Sequence, residues 1–309
     1  MKFPGYHTPV LLGPVLEHLL AGSPPVVFDA TLGGGGHSQA ILEALPECRL
    51  VGMDADDGAL EFARRRLGKF GGRFQAVHGN FRNMDAALAG LGIRRVDAVL
   101  MDLGVSSRQL DDPGRGFSFR FDGPLDMRMD PTRGVSAAEW INQETEEELA
   151  RVIREYGEER HANRIARAIA HERKTHEIRT TQQFSELVAR ALGVSAAASG
   201  RPGATRGKIH PATRTFQAIR IVVNDELGAL EEGLAKAVEL LSVRGRLAVI
   251  TFHSLEDRLA KNLFRTEQKT TGRLRWINKH VIRAERDEIR ANPRSRSAKL
   301  RVVEKVKDF

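Results

Sequence analysis

Val26-Val27-Phe28-Asp29-Ala30-Thr31-Leu32-Gly33-Gly34-Gly35-Gly36-His37 runs from a short apolar strand pattern into four consecutive glycines. From Ser38 to Leu45 apolar residues then recur at helical spacing, so the stretch reads as strand, turn, helix. A plain strand-to-helix turn needs one or two glycines, whereas four permit close approach of backbone to a ligand. Such a loop at the carboxyl end of a strand is where parallel α/β sheets hold nucleotide-type cofactors.

Working outward, the same rhythm repeats. Leu50-Val51-Gly52-Met53 ends at Asp54 and precedes a helical pattern from Ala59 to Leu67; Arg73 to Val77 ends at His78-Gly79-Asn80-Phe81. Residues Asp85 to Leu91 read as a helix, and Val96 to Met101 as a strand buried on both faces, ending at Asp102. Strands alternating with helices predict a doubly wound, mostly parallel sheet. Residues 108–135 are rich in Gly, Pro, Asp and Arg and lack a period, as in an ordered functional loop or a linker. Helical patterns follow: Thr145-Glu146-Glu147-Glu148 fits a capping box that starts a helix toward Tyr156, another helix follows Glu159, and a third spans Gln182 to Leu192. Ser195 to Arg214 is poor in apolar residues and reads as a mobile basic loop. One long helix is expected from Thr215 to Leu241, then a buried strand from Arg246 to Phe252 ending at His253, a helix through Phe264, an ill-defined stretch around Trp276, and a last strand from Lys299 to Val306. The organisation expected is an α/β domain formed by residues 1–107 and 215–309, interrupted by an all-helical insertion at 108–214.

The glycines do not follow the dinucleotide spacing, because the sixth position counted from Gly33 or Gly34 is Ser38 or Gln39. Asp54, about twenty residues on, is placed to accept both hydroxyls of an adenosine ribose, the alternative being a helix N-cap. Phe81 is placed to flank an adenine ring, or else packs in the core. Asp102 points toward the same crevice, where an acid could hold a cofactor's positive end or orient an amine; capping the next turn is its other reading. His37, His78 and His253 are dispersed without ligand spacing, so no metal is expected. Cys48 stands alone and cannot form an internal disulfide.

Charge divides the chain. Residues 1–150 hold 15 Lys+Arg against 21 Asp+Glu, and residues 151–309 hold 33 against 19. Between residues 160 and 220 there are 12 Lys+Arg and 3 Asp+Glu, which suits contact with a polyanion, although a solvated basic face gives the same count. No run reaches the roughly 18 apolar residues of a membrane span. Gly13, Pro14, Glu17 and His18 interrupt the first apolar stretch, so no signal peptide and a cytoplasmic location are expected.

Several longer strings are more specific than any single glycine motif. His7-Thr8-Pro9-Val10-Leu11-Leu12, Thr31 to Ser38, Asp102 to Asp111, Arg115 to Phe119, Gly123 to Asp130, Tyr156 to Arg160, His210 to Arg220 and Phe252 to Arg258 together resemble the ribosomal RNA small subunit methyltransferase H family. The resemblance spans nearly the whole chain, and only the stretch between Leu263 and Val281 is shorter than that family often shows. It implies a class I, Rossmann-like methyltransferase fold with a helical insertion, S-adenosylmethionine as cofactor, and methylation of the exocyclic N4 amine of a cytidine in the decoding centre of small-subunit (16S) ribosomal RNA. It also implies cofactor contacts at Gly35, Gly36, His37, Asp54, Phe81, Asp102 and Gln109. A cytosine amine is a weak nucleophile that needs an acceptor for its proton. Asp102 is the candidate, with Ser106, Ser107 and His253 behind it. Arg160, Arg164, Arg167, Arg206, Lys208 and Arg214 form the expected RNA platform, facing ribosomal RNA or the small subunit.

Two other function classes stay open at this point. A small-molecule methyltransferase would share the crevice but leave the basic half without use. A non-catalytic RNA-binding assembly factor would share the charge but have no need of the glycines with Asp54 and Asp102. The sequence does not fix the oligomeric state; a homodimer is one option.

Overall fold

The computed structural model describes residues 9–194 and 210–308. It divides into two compact units, one of residues 1–106 with 227–309 and one of residues 107–226.

The first unit is a sheet in the order β3-β2-β1-β4-β5-β8-β6, with β7 on β8. Strands β1 (Val26–Asp29), β2 (Arg49–Asp54), β3 (Phe74–His78), β4 (Val96–Asp102) and β5 (Leu241–Thr251) pair in parallel. Strands β6 (Leu274–Trp276), β7 (Ile282–Arg283) and β8 (Lys299–Lys305) join antiparallel. The expected doubly wound, mostly parallel sheet is therefore present. The ill-defined stretch around Trp276 holds β6 and β7, whose three and two residues are too short to show a period.

Burial on both faces explains the unbroken apolar runs of β1 and β4. Val27, Leu50, Ala98, Leu100 and Ile250 face helices α1 (Leu12–Leu19), α2 (Gly36–Ala44) and α3 (Asp57–Leu67). Phe28, Val51, Val99, Met101 and Val249 face α4 (Met84–Gly90) and two later helices. The strand order reverses between β1 and β4, so their carboxyl ends open a crevice at the switch point of the sheet.

The second unit carries α5 (Ser107–Asp111), α6 (Ala137–Gln143), α7 (Glu146–Glu155), α8 (Ala162–Glu172), α9 (Thr181–Ala191) and α10 (Thr213–Val223). Helix α8 buries Ala162, Ile165, Ala166 and Ile169 and exposes Arg164 and Arg167, as its spacing predicts. At α7 the Thr145 hydroxyl accepts the Glu148 amide at 3.1 Å. Reciprocal capping boxes stand elsewhere, between Ser136 and Glu139, between Thr180 and Gln183 and between His253 and Glu256. Residues 116–135 form no helix, but buried Phe117, Leu125 and Met127 anchor them.

The single helix expected over 215–241 is two, α10 and α11 (Glu226–Leu240). Asp225 takes a left-handed backbone, φ 46°, which ends the first helix. Asn224 fixes that break: its amide donates to the carbonyls of Arg220 and Met127, and its oxygen accepts the Met129 amide. Arg220 then grips Glu226 in a bidentate pair at 2.7 and 2.8 Å. The return to the first unit falls at this break, after Glu226, whereas the sequence pattern places it near residue 215. The signal was hidden because the apolar period continues through Asn224-Asp225.

Candidate active site

Gly35 sits at φ 72°, and an added Cβ there would lie 2.9 Å from Leu67 Cδ1. At Gly36 it would lie 2.9 Å from Pro9 Cγ. The glycine loop thus packs against α3 and the segment before α1, and Gly35 also takes the left-handed backbone that favours glycine.

Acids end three adjacent strands at this edge: Asp54 on β2, Asp29 on β1 and Asp102 on β4. Asp54 does not cap α3; Asp56 does, accepting the amides of Gly58 and Ala59. Asp54 instead accepts the Gly33 amide at 2.7 Å on one oxygen and the Asp56 amide at 2.9 Å on the other. Each oxygen keeps a lone pair for a further donor such as a ribose hydroxyl. Burial raises its pKa to about 6. Asp29 is buried, accepts Ser38 Oγ at 2.6 Å and the Thr31 amide at 3.2 Å, and is also raised to about 6, chiefly by burial. Sequence reading passed over Asp29, although its strand-terminal position matches those of Asp54 and Asp102.

Asp102 caps nothing. Its amide donates to Thr31 Oγ1 at 2.6 Å, which pins the end of β4 to the loop after β1. The side chain stays 24% exposed, yet Oδ1 is buried without a hydrogen-bond partner. Burial, then the charges of Asp29 and Glu256, push its pKa well above the usual carboxylate range. Facing its Oδ2 at 3.6 Å is Nδ1 of His37, whose Nε2 lies 2.9 Å from the Val10 carbonyl. A carbonyl can only accept, so the proton of the neutral ring sits on Nε2 and Nδ1 offers a lone pair. Burial lowers the His37 pKa to about 4, against the opposing pull of that carbonyl.

The weaker candidates separate. His253 opens α12 (Ser254–Thr266) as its N-cap, and Glu256 Oε2 accepts the amides of Phe252 and His253 at 2.7 and 3.3 Å. His253 Nε2 is 3.1 Å from Glu256 Oε1 but makes no hydrogen bond. Ser106 is half-buried at the end of the first unit; Ser107 opens α5 in the second, with Gln109 buried on that helix. Phe81 forms a turn after β3 and packs its ring edge on α11, where a Cβ at Gly233 would come 2.5 Å from Phe81 Cδ2. It remains half-buried.

In the second unit Arg160 and Arg164 are exposed, whereas Arg167 lies 3.7 Å from Glu146 and Arg214 lies 3.8 Å from Glu159. Arg206, Lys208 and most of the expected basic loop fall outside the described residues.

An unpartnered buried carboxylate oxygen in a crevice whose other acids are already hydrogen-bonded fits a ligand with a cationic centre. The lone pairs left on Asp54 fit its hydroxyls. The class defined by this sheet and crevice is the S-adenosylmethionine-dependent methyltransferases, and S-adenosylmethionine is the cofactor. A family model described as the MraW methylase family matches residues 5–306, and the chain belongs to that family. It is 49% identical over 314 residues to a protein of Carboxydothermus hydrogenoformans named ribosomal RNA small subunit methyltransferase H, covering 97% of this chain and 98% of that one. Proteins of the same name from Heliobacterium modesticaldum and Symbiobacterium thermophilum are 44% and 47% identical, covering 98% and 97% of this chain and 99% and 97% of their own.

Proposed function

We propose that this protein methylates the exocyclic N4 amine of a cytidine in the decoding centre of small-subunit ribosomal RNA, and that Asp102 receives the proton the amine gives up. Relatives at 44–49% identity named as small-subunit methyltransferases support the substrate class. The observation that carries the site assignment is the buried, unpartnered Oδ1 of Asp102 at the switch point of the sheet.

Bound S-adenosylmethionine supplies an electrophilic methyl group on a cationic sulfur, so the protein's work is alignment, exclusion of water and proton management. Gly35 and Gly36 would bring backbone against the cofactor, Asp54 would accept its ribose hydroxyls, and Phe81 would flank its base. His37 Nδ1 stands 3.6 Å from Asp102, and Gln109 is assigned to the cofactor by resemblance alone. Asp102 would take the proton that the amine gives up as it is methylated, one of its carboxylate oxygens accepting it. Burial raises the Asp102 pKa, and a positive charge beside it would favour the ionised form that can accept a proton. Arg160, Arg164, Arg167 and Arg214, on the helical insertion, meet RNA phosphates while the target base is turned out of its stack.

The test is transfer of labelled methyl groups from S-adenosylmethionine to unmodified small subunits, naked small-subunit RNA and free nucleosides, followed by nucleoside mass analysis. Label in N4-methylcytidine from the subunit or its RNA is expected. Cofactor binding with no transfer to any RNA would replace this reading by a small-molecule methyltransferase.

A further inference from the structure

The positive charge of the carboxyl-terminal half does not reside where the insertion alone would put it. The helical unit, residues 107–226, holds 19 Lys+Arg and 18 Asp+Glu and is close to neutral as a whole. Residues 227–309, which belong to the methyltransferase unit, hold 19 against 11. Within them, residues 279–301 carry eight Lys+Arg against three Asp+Glu.

Strand register locates this segment. Arg283 on β7 pairs with Lys299 on β8, and Lys299 pairs with Thr251, the last residue of β5. The chain from Lys279 to Lys299 therefore lies at the carboxyl edge of the parallel sheet, the edge that opens the crevice. A second tie agrees: α13 (Arg286–Ala291) presents Glu288, whose Oε1 accepts the Leu11 amide at 2.7 Å. Leu11 follows Val10, the residue whose carbonyl fixes His37. Lys279, Arg283, Arg286 and Arg296 are all exposed, and among the described residues none of the four has a carboxylate partner. By contrast Lys299 and Arg301 are held by Asp257, at 3.2 and 2.7 Å. Four unpaired cations in 18 residues, on the ligand edge and beside the strap that holds His37, are arranged for a polyanion that approaches the crevice.

We propose that Lys279, Arg283, Arg286 and Arg296 form a phosphate-binding rim on the methyltransferase unit, which receives the substrate RNA backbone next to the crevice. The rim rests on the reading of the substrate as RNA and adds a contact surface separate from the helical insertion. It accounts for an otherwise unpaired cluster without asking more of an insertion whose Arg167 and Arg214 already face carboxylates.

The experiment compares wild type with a rim variant, Lys279→Gln, Arg283→Gln, Arg286→Gln and Arg296→Gln together, and with an insertion variant, Arg160→Gln with Arg164→Gln. Affinity for small-subunit RNA is measured across salt concentrations, with S-adenosylmethionine affinity and melting temperature as checks on folding. Each phosphate contact adds roughly 0.7–0.9 to the slope of log affinity against log salt, so the rim variant is expected to lose about 3 from that slope and to bind at least about tenfold more weakly at low salt. Cofactor affinity stays unchanged. A folded rim variant with wild-type slope and affinity overturns the rim while leaving the proposed substrate standing, most plainly if the insertion variant is then the weak one. Wild-type protein that binds no RNA removes the substrate reading and the rim together.

Discussion

Asp102 and His37 stand 3.6 Å apart in surroundings where burial and neighbouring groups shift the protonation of both. Two proton-poor atoms, Oδ2 and Nδ1, face each other at 3.6 Å, an arrangement favoured when Asp102 carries a proton. Replacing Asp102 by alanine is expected to lower turnover at saturating cofactor by about 10²–10⁴-fold, the range for loss of a proton acceptor. Near-normal turnover in that variant, measured by methyl transfer to RNA, removes Asp102 from the acceptor role. Asp29 gives a prediction on stability instead. Its pKa is raised on folding from an ordinary carboxylate value to about 6, so its favourable contribution is complete below about pH 4 and is lost as pH rises through 6. Asn can keep the Thr31 and Ser38 contacts without ionising. Asp29→Asn is therefore expected to gain on wild type between pH 4 and 7, by on the order of 2 kcal/mol, in urea unfolding at a series of pH values. An unchanged difference across that range would refute the burial argument. The sequence exposed Asp54, Asp102 and the glycines, because these residue types have few other reasons to stand there. It could not show that Thr31 Oγ1 anchors the Asp102 amide or that Val10 orients His37, since those contacts join segments far apart in the chain.

At the scale of elements, legibility followed length and burial. Strands β1 to β5 announced themselves as apolar runs, and α8 by its buried stripe of Ala162, Ile165, Ala166 and Ile169. The break between α10 and α11 did not, because it depends on Asn224 reaching carbonyls at Arg220 and Met127 rather than on a local breaker such as glycine or proline. The capping box read at Thr145 and Glu148 is half made, with the hydroxyl bond present, whereas Ser136, Thr180 and His253 make the reciprocal bonds. Ser136→Ala and Thr180→Ala are each expected to cost about 1 kcal/mol in denaturant unfolding, with little change in cofactor affinity. A cost near zero at both would mean that packing of α6 and α9 holds those ends without the hydroxyls.

For the whole molecule, net charge of +8 is less telling than its distribution. Inside the second unit, acidic residues before Arg160 offset the basic stretch after it, so the unit as a whole exerts little long-range attraction. Steering of RNA then falls to local patches, whose influence ends within a Debye length of about 8–10 Å at physiological salt. RNA binding is accordingly expected to weaken steeply with salt, and cofactor binding only slightly; equal salt dependence for both ligands would deny the polyanion reading. Among the described residues no helix is long and apolar enough to cross a membrane.

The bond from the Leu11 amide to Glu288 joins residues 277 positions apart, and it braces the strap that orients His37. The strap precedes β1 in the chain and its brace follows β7, and between them β4 and β5 pair across the whole helical unit. The orientation of His37 thus depends on a contact of very long sequence separation, the kind that is made only once distant parts of the chain are folded together.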